Sequence, residues 1–189
     1  MKKKKIDLRF GIIGVVILLA AVSRLIPHPV GFVPIAGMAL FGAAYYSKRY
    51  WAYIVPIVAM MLSDIILNTL VYSAYMDRQW MWIFLYTYGA LALIVLMGTF
   101  TLKSVRVPEV AISAVGASVI FYLVTNFGTW ISSGMYPHTW EGLTACYTAA
   151  LPFFRNGLAG DLLYTGILFG AFELLMYKFP SLKAQKAAA

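Results

Sequence analysis

Charged and amide side chains interrupt an apolar stretch near the C-terminus of this 189-residue chain. The segment ALPFFRNGLAGDLLYTGILFG, residues 150–170, carries Arg155, Asn156 and Asp161 among aliphatic and aromatic residues. A charge at the centre of a bilayer costs at least about 2.5 kcal/mol, so such a residue normally has a partner or a function. Arg155 and Asp161 are about 240° apart around a helix and therefore point away from each other. We expect their partners on other helices or in a ligand.

Polar residues of several predicted helices fall in the same half of the membrane if the N-terminus is cytoplasmic. Counting about 1.5 Å per residue, Asp64 lies about 20 Å and Asn126 about 27 Å above the cytoplasmic starts of their helices. Asp161 lies about 8 Å below the outer start of its helix. The sequence therefore predicts a polar pocket open to the outside, although an interhelical cluster that only stabilises the bundle is the alternative. The candidate substrate-binding residues are Arg24, His28, Asp64, Asn68, Asn126, Trp130, Tyr136, His138, Trp140, Arg155, Asn156 and Asp161.

Aromatic residues are concentrated between the last two predicted spans. Trp130, Tyr136 and Trp140 accompany His138 in this polar stretch. Tryptophan and tyrosine are normally enriched at membrane interfaces, and this explains part of the concentration. Aromatic faces beside hydrogen-bonding groups also suit a planar small molecule, so we expect Trp130 and Trp140 to cap the pocket.

Motifs of the common catalytic chemistries are missing from the sequence. It has no GxxxxGK[ST] phosphate loop, no GxSxG and no HExxH. The single cysteine, Cys146, excludes an internal disulfide and a cysteine metal cage, and with two histidines we expect neither a zinc site nor haem. Asp64 and Asp161 lack the surroundings of an intramembrane aspartyl protease. We therefore expect a protein without catalytic residues, metal or cofactor.

The composition is that of a polytopic membrane protein. Hydrophobic residues make up 62% of the chain and charged residues 12%, against roughly 25% charged in ordinary soluble domains. The net charge of +8 comes from basic residues between apolar spans, so nucleic acid is not an expected partner. The N-terminal apolar run is long for a signal peptide and lacks a clean cleavage site, so we interpret it as a retained helix.

The apolar runs predict an all-α integral membrane protein, a six-helix bundle forming a single domain over residues 1–189. The basic residues set its orientation, because all but Arg24, Arg78 and Arg155 fall on one side when both termini are cytoplasmic. We expect a multi-pass protein of the bacterial cytoplasmic (inner) membrane. The predicted helices are at about 10–26, 32–46, 51–73, 80–102, 108–130 and 156–179, with an outer loop over 131–155 that contains a short apolar segment.

Pairs of small residues mark two places of close helix packing. Gly11 and Gly14 lie in the inner half of the first predicted helix, and Ala39 and Ala43 lie in the second. Such pairs normally allow helices of one chain to approach each other. Their position toward the cytoplasm would also suit docking of another membrane protein.

Three segments carry a resemblance to a known family: SRLIPHPVGFVPIAGMALFGAAYY, MMLSDIILN and CYTAALPFFRNGLAGDLLYTGILFGAFEL. They resemble an uncharacterised bacterial membrane family grouped with the S components of energy-coupling factor (ECF) transporters. The resemblance implies six helices, cytoplasmic termini and an outward-open site for a micronutrient such as a vitamin, formed here by residues 27–34 and 130–140. It also implies a transmembrane coupling subunit and ATPases as partners. The AxxxA docking pattern of that group is missing from the first helix, where Gly11 and Gly14, or Ala39 and Ala43, could substitute.

These observations favour a substrate-binding membrane subunit for uptake of a small, vitamin-like micronutrient, energised by separate ATPase partners. In this hypothesis Arg155 binds a carboxylate or phosphate of the substrate. Two alternatives stay open: a structural or scaffolding protein of the inner membrane, and a self-sufficient proton-coupled carrier that uses Asp64 or Asp161.

Overall fold

The computed structural model describes residues 8–70 and 80–183, with side chains in the second range from residue 84 onward. These ranges are helical and contain no strand, which confirms the predicted all-α class. The predicted end of the third helix at residue 73, Arg78, the basic residues 2–5 and Lys186 lie outside them. The helices are α1 (Leu8–Ser23), α2 (Ile35–Tyr45), α3 (Arg49–Leu70), α4 (Trp80–Thr101), α5 (Val107–Ser132) and α6 (Trp140–Lys178), followed by a short 3-10 helix at Pro180–Leu182.

Four helices have the length and composition of membrane spans. They are α3, α5, α6 and the part of α4 over Phe84–Thr101, whereas α1 and α2 are shorter apolar helices. Large aliphatic side chains cover the outside of the bundle, for example Ile112 at 72% and Leu163 at 50% exposure. Exposure of such side chains to water is unfavourable, whereas contact with hydrocarbon is not. The surface is therefore that of a membrane-embedded protein.

Helix α2 lies at the centre of the bundle and contacts each of the other five α-helices. Nine of its 11 residues are buried, as expected for a helix that is apolar all round. Ala39 is completely buried, and a Cβ added to Gly98 of α4 would lie 2.8 Å from the Cβ of Ala43. The hypothesis that Ala39 and Ala43 dock another protein has no support in this geometry, because Ala39 is buried and Ala43 lies against α4. Gly11 and Gly14 of α1 are half-buried.

Both ends of α2 meet charges carried by other helices. The backbone N–H of Ala36 donates to Oδ1 of Asp161 on α6 at 3.3 Å. At the opposite end, Nη2 of Arg9 on α1 donates to the carbonyl oxygen of Tyr45 at 3.2 Å. Helix N-termini favour anions and C-termini favour cations. Because Pro34, which precedes α2, offers no side-chain cap, Asp161 supplies the missing cap from α6.

The last two helices are longer than the sequence predicted, and the expected outer loop over 131–155 is wrong. α5 continues to Ser132 and α6 begins at Trp140, so the connection is short. Oγ1 of Thr139 caps α6 by accepting from the N–H of Gly142 at 3.2 Å. Pro152 lies inside α6, where it removes the N–H that would have bonded the Thr148 carbonyl, and the helix continues past it. The apolar segment before Arg155 is therefore the first part of α6.

Candidate functional site

Arg24 and Asp64 form a buried ion pair between the end of α1 and α3. Nη2 of Arg24 lies 2.7 Å from Oδ1 of Asp64, and the two side chains are 10% and 11% exposed. The hydroxyl of Tyr88 on α4 donates to the other carboxylate oxygen at 2.8 Å, and Arg24 also donates to Ser63. Asp64 therefore has its cationic partner on another helix segment, as the sequence analysis expected for buried charges. Both charges have their partners within this cluster, which connects the end of α1 to α3 and α4.

A second group of predicted residues lines a separate cavity of 220 Å³ between the α1–α2 connection, α5 and α6. We name it the aspartate cavity. Of the twelve candidate residues it contains Asn126 and Asp161. Its wall includes the aromatic rings of Phe121, Phe153 and Phe154. The other lining residues are Gly31, Val33, Ile35, Ser118, Tyr122, Thr125, Ala150, Gly157 and Leu158.

Asp161 is a buried polar group of the aspartate cavity, at 6% exposure, and lies beside Ser118 at 4%. Its Oδ2 accepts a hydrogen bond from Oγ of Ser118 at 2.7 Å, while its Oδ1 caps α2 through Ala36. These two donors and the N-terminal end of α2 stabilise the carboxylate without a cationic side chain. The sequence-based inference that Arg155 and Asp161 do not pair agrees with this arrangement.

The remaining polar groups of the cavity lie along α5. Oγ1 of Thr125 donates to the carbonyl of Phe121 at 2.7 Å, and Nδ2 of Asn126 donates to the carbonyl of Tyr122 at 2.8 Å. These bonds use the hydroxyl of Thr125 and one of the two N–H groups of Asn126, and they leave lone pairs of both side-chain oxygens available. The polar lining therefore consists mainly of hydrogen-bond acceptors.

The α1–α2 connection closes one side of the aspartate cavity by lying directly on α6. Gly31 has a φ of +84°, a conformation that favours glycine, and an added Cβ would lie 3.0 Å from the carbonyl oxygen of Phe153. A Cβ at Gly160 would lie 3.1 Å from Cα of Phe32. Nδ2 of Asn156 donates to the carbonyl of Val30 at 3.0 Å. Asn156 thus holds this connection in place.

Three predicted residues form a different cavity near the α5–α6 connection. Trp130, His138 and Trp140 line this space of 260 Å³ together with Phe127, Thr139 and Leu143. The rings of Trp130 and His138 meet edge to face at 5.5 Å, and Nε1 of Trp130 donates to the carbonyl of Pro137 at 3.0 Å. This aromatic cavity shares no lining residue with the aspartate cavity, so these residues do not cap it.

The other four candidate residues lie outside these cavities. Arg155 is exposed on α6 and forms no ion pair with any residue that the structure describes. Nδ1 of His28 lies 3.0 Å from the carbonyl oxygen of the adjacent Pro29. Asn68 and Tyr136 are half-buried and line neither cavity. The predicted single pocket is therefore wrong: its residues divide among an ion pair, two cavities and the surface.

Ser118, Tyr122 and Thr125 belong to the aspartate cavity but were missed from the sequence. A signal for them exists, because residues four and seven positions apart share one face of a helix. These three residues make a polar stripe on an otherwise apolar span. Hydroxyl groups in such spans usually bond to their own backbone and therefore attract little attention.

Comparisons with known proteins complete the description. Neither the curated proteins nor the solved structures provide a match to this chain. A family profile with the description "Family of unknown function (DUF6580)" matches residues 4–182. That range covers nearly the whole chain, including every helix that forms the aspartate cavity. The chain therefore belongs to the DUF6580 family.

Proposed function

We propose that the protein is a substrate-binding membrane subunit for the uptake of a small molecule, and that the aspartate cavity is its binding site. The observation that carries this proposal is the combination of a buried carboxylate, hydroxyl and amide oxygens and four aromatic rings around one cavity. Small-molecule sites are typically apolar concave surfaces with a few convergent polar groups. A scaffolding protein has no need of such a cavity.

The lining favours a ligand that donates hydrogen bonds. Asp161 already occupies the anion position at the N-terminus of α2, and the residues that line the cavity include no arginine, lysine or histidine. A carboxylate or phosphate would lie beside Asp161 without a compensating charge. The volume of 220 Å³ equals the share of about seven water molecules in the liquid, at about 30 Å³ each. The expected ligand is therefore a small, flat molecule with N–H groups or a protonated amine.

Arg155 has no role in the proposed binding site. It is exposed and does not line the aspartate cavity, so the hypothesis that it binds a substrate carboxylate has no support in the geometry. The ligand class changes accordingly, from an anion to a hydrogen-bond donor.

The membrane arrangement belongs to the same proposal. Six helices arranged with both termini in the cytoplasm would put the aspartate cavity in the outer half of the inner membrane. Energy would come from separate ATPases through a transmembrane coupling subunit, and Gly11 is the remaining position open to such a partner, since an added Cβ there meets no atom within 4 Å. A reporter domain that is active only in the cytoplasm should be active when it is fused to either terminus.

Binding of a matched pair of probes tests the proposed site. In lipid nanodiscs, benzylamine should bind to the protein, whereas benzoate of similar size and shape should not. Asn126→Leu should weaken benzylamine binding about tenfold, because it removes a polar group of the cavity. Thr129→Val is the matched control: Thr129 makes the same kind of bond to its own helix, to the carbonyl of Thr125 at 3.0 Å, without lining the cavity.

Equal binding of benzoate and benzylamine would overturn the proposed ligand class. Equal loss of benzylamine binding in Asn126→Leu and Thr129→Val would overturn the aspartate cavity as the binding site. Native mass spectrometry of gently purified protein tests the partners, since ATPase subunits should co-purify. Uptake that proceeds in vesicles without any ATPase would favour the proton-coupled carrier instead.

A further inference from the structure

The aromatic cavity at the α5–α6 connection lies outside the proposed binding site, and its lining differs from that of the aspartate cavity. Six residues bound its space of 260 Å³: Phe127, Trp130, His138, Thr139, Trp140 and Leu143. Four of the six carry an aromatic ring, and none carries a carboxylate or an amide. A ligand of this cavity must therefore be recognised mainly by ring faces.

The rings of the aromatic cavity are inclined to one another rather than stacked in parallel. The planes of Phe127 and Trp130 meet at 52°, with 5.6 Å between the ring centroids. The planes of Trp130 and His138 meet at 67°, with 5.5 Å between the centroids. Inclined rings leave more of their faces uncovered than a parallel stack does. Trp140 is 79% exposed, so most of its surface is accessible as well.

The polar groups beside these rings are engaged within the protein. The Nε1–H of Trp130 donates to the carbonyl of Pro137 at 3.0 Å, and the indole has no second donor. Oγ1 of Thr139 accepts from the N–H of Gly142 at 3.2 Å. A Cβ at Gly142 would clash with the same carbonyl oxygen of Pro137, so α6 and the connection pack closely. The cavity thus offers a ligand few hydrogen-bonding groups.

The charge around the aromatic cavity favours a cation. Its six lining residues include no lysine or arginine. Glu141 is the only Asp, Glu, Lys or Arg in residues 110–154, and it directly follows Trp140 in the sequence. It lies in the first turn of α6, where its carboxylate offsets the positive end of the helix. Aromatic faces attract cations through the ring quadrupole, and groups of such faces bind quaternary ammonium ligands.

We propose that the aromatic cavity binds a small, soluble quaternary ammonium compound, whose methyl groups contact Phe127, Trp130 and Trp140. A quaternary ammonium group carries its charge without N–H groups and therefore needs no hydrogen-bond acceptor. A primary amine would leave N–H donors unsatisfied here, which distinguishes this site from the aspartate cavity. His138 and Thr139 lie between the ends of α5 and α6, outside both spans, so a soluble compound can reach the cavity from water.

Choline and its neutral isostere 3,3-dimethyl-1-butanol are a matched pair of probes, because they differ in charge and hardly in shape. Calorimetry on the full chain in nanodiscs free of choline lipids measures their binding, and empty nanodiscs give the background. Choline should bind, and 3,3-dimethyl-1-butanol should bind about tenfold more weakly, because only the cation gains from the ring quadrupoles.

Replacement of one exposed ring tests the position of the site. Trp140→Leu should weaken choline binding about fivefold and leave the fold intact, since this side chain is largely exposed. Trp140→Phe keeps a ring face and should retain more of the affinity. Tyr177→Leu is the matched control: Tyr177 is an 84% exposed ring near the other end of α6 and does not line the aromatic cavity.

The results separate this inference from the proposed function. Equal affinity for the two probes, or an equal effect of Trp140→Leu and Tyr177→Leu on choline binding, would overturn the site. Loss of choline binding in phosphatidylcholine nanodiscs would assign the cavity to a lipid headgroup and overturn a soluble occupant. Benzylamine binding should be unchanged in Trp140→Leu, because the aromatic and aspartate cavities share no lining residue. Failure of choline to bind therefore leaves the proposed function intact.

Discussion

At the scale of single residues, the ion pair of Arg24 and Asp64 shows how this bundle carries charge in its interior. Each guanidinium or carboxylate group has a partner within 2.8 Å, and Tyr88 completes the coordination of Asp64. A buried ion pair adds little net stability, because desolvation of both groups offsets their attraction. Removal of one member is more damaging, since it leaves the other charge buried alone.

Asp64→Asn should therefore lower the free energy of unfolding by about 3–5 kcal/mol. Denaturation of the purified protein in detergent measures the change. The double variant Arg24→Met with Asp64→Leu removes both charges and should recover most of the loss. An Asp64→Asn protein as stable as the wild type would show that the pair does not stabilise the fold.

Sequence reasoning located the buried charges but could not assign their partners. Counting residues from a helix end gives the depth of a side chain, and depth brought Asn126 and Asp161 together correctly. Depth does not give the direction in which a helix faces its neighbours. Arg24 and Asp64 were therefore placed in the same pocket as Asp161, although they join α1 to α3 elsewhere.

At the scale of elements, two glycines of α6 should respond in opposite ways to the same substitution. Gly160→Ala should destabilise the protein by about 1–3 kcal/mol, because the new methyl group meets the backbone of Phe32 and Val33 at 3.1–3.2 Å. Gly166→Ala has open space and should stabilise it by up to about 1 kcal/mol through helix propensity. Thermal unfolding of the two variants in one detergent provides the comparison. Similar shifts in both would contradict the close contact at Gly160.

The helices themselves were largely predictable, with one instructive exception. Long apolar runs gave the spans of α3, α4 and α5 because length and hydropathy suffice for a transmembrane helix. The sequence analysis divided α6, because it began the last span at residue 156 and assigned the short apolar segment before it to a loop. The structure continues through them, since one proline removes a single backbone bond and the hydroxyls of Tyr122 and Tyr147 fasten α6 to α5 at 2.6 and 2.7 Å.

At the scale of the whole molecule, the exposed aliphatic surface distinguishes a membrane protein from a soluble one. Leu163→Arg places a charge at a half-exposed position within α6. In water this change would be nearly neutral, whereas in a bilayer it should cost about 2.5–3.5 kcal/mol. Quantification of membrane-inserted protein in cells provides the measurement, with Leu163→Ala as control. Equal insertion of both variants would contradict lipid exposure of this face.

The dependence of α2 on Asp161 has a consequence for how the protein is made. An α-helix of 11 residues is about 16 Å long, half of a bilayer core of about 30 Å, so α2 cannot be recognised by the insertion machinery as a span of its own. Its N-terminal cap is carried by α6, the last helix to be synthesised. During synthesis, α2 therefore lacks its N-terminal cap until residue 161 has left the ribosome. Chains truncated before α6 should be substrates for membrane proteases even though most of the helices are already complete.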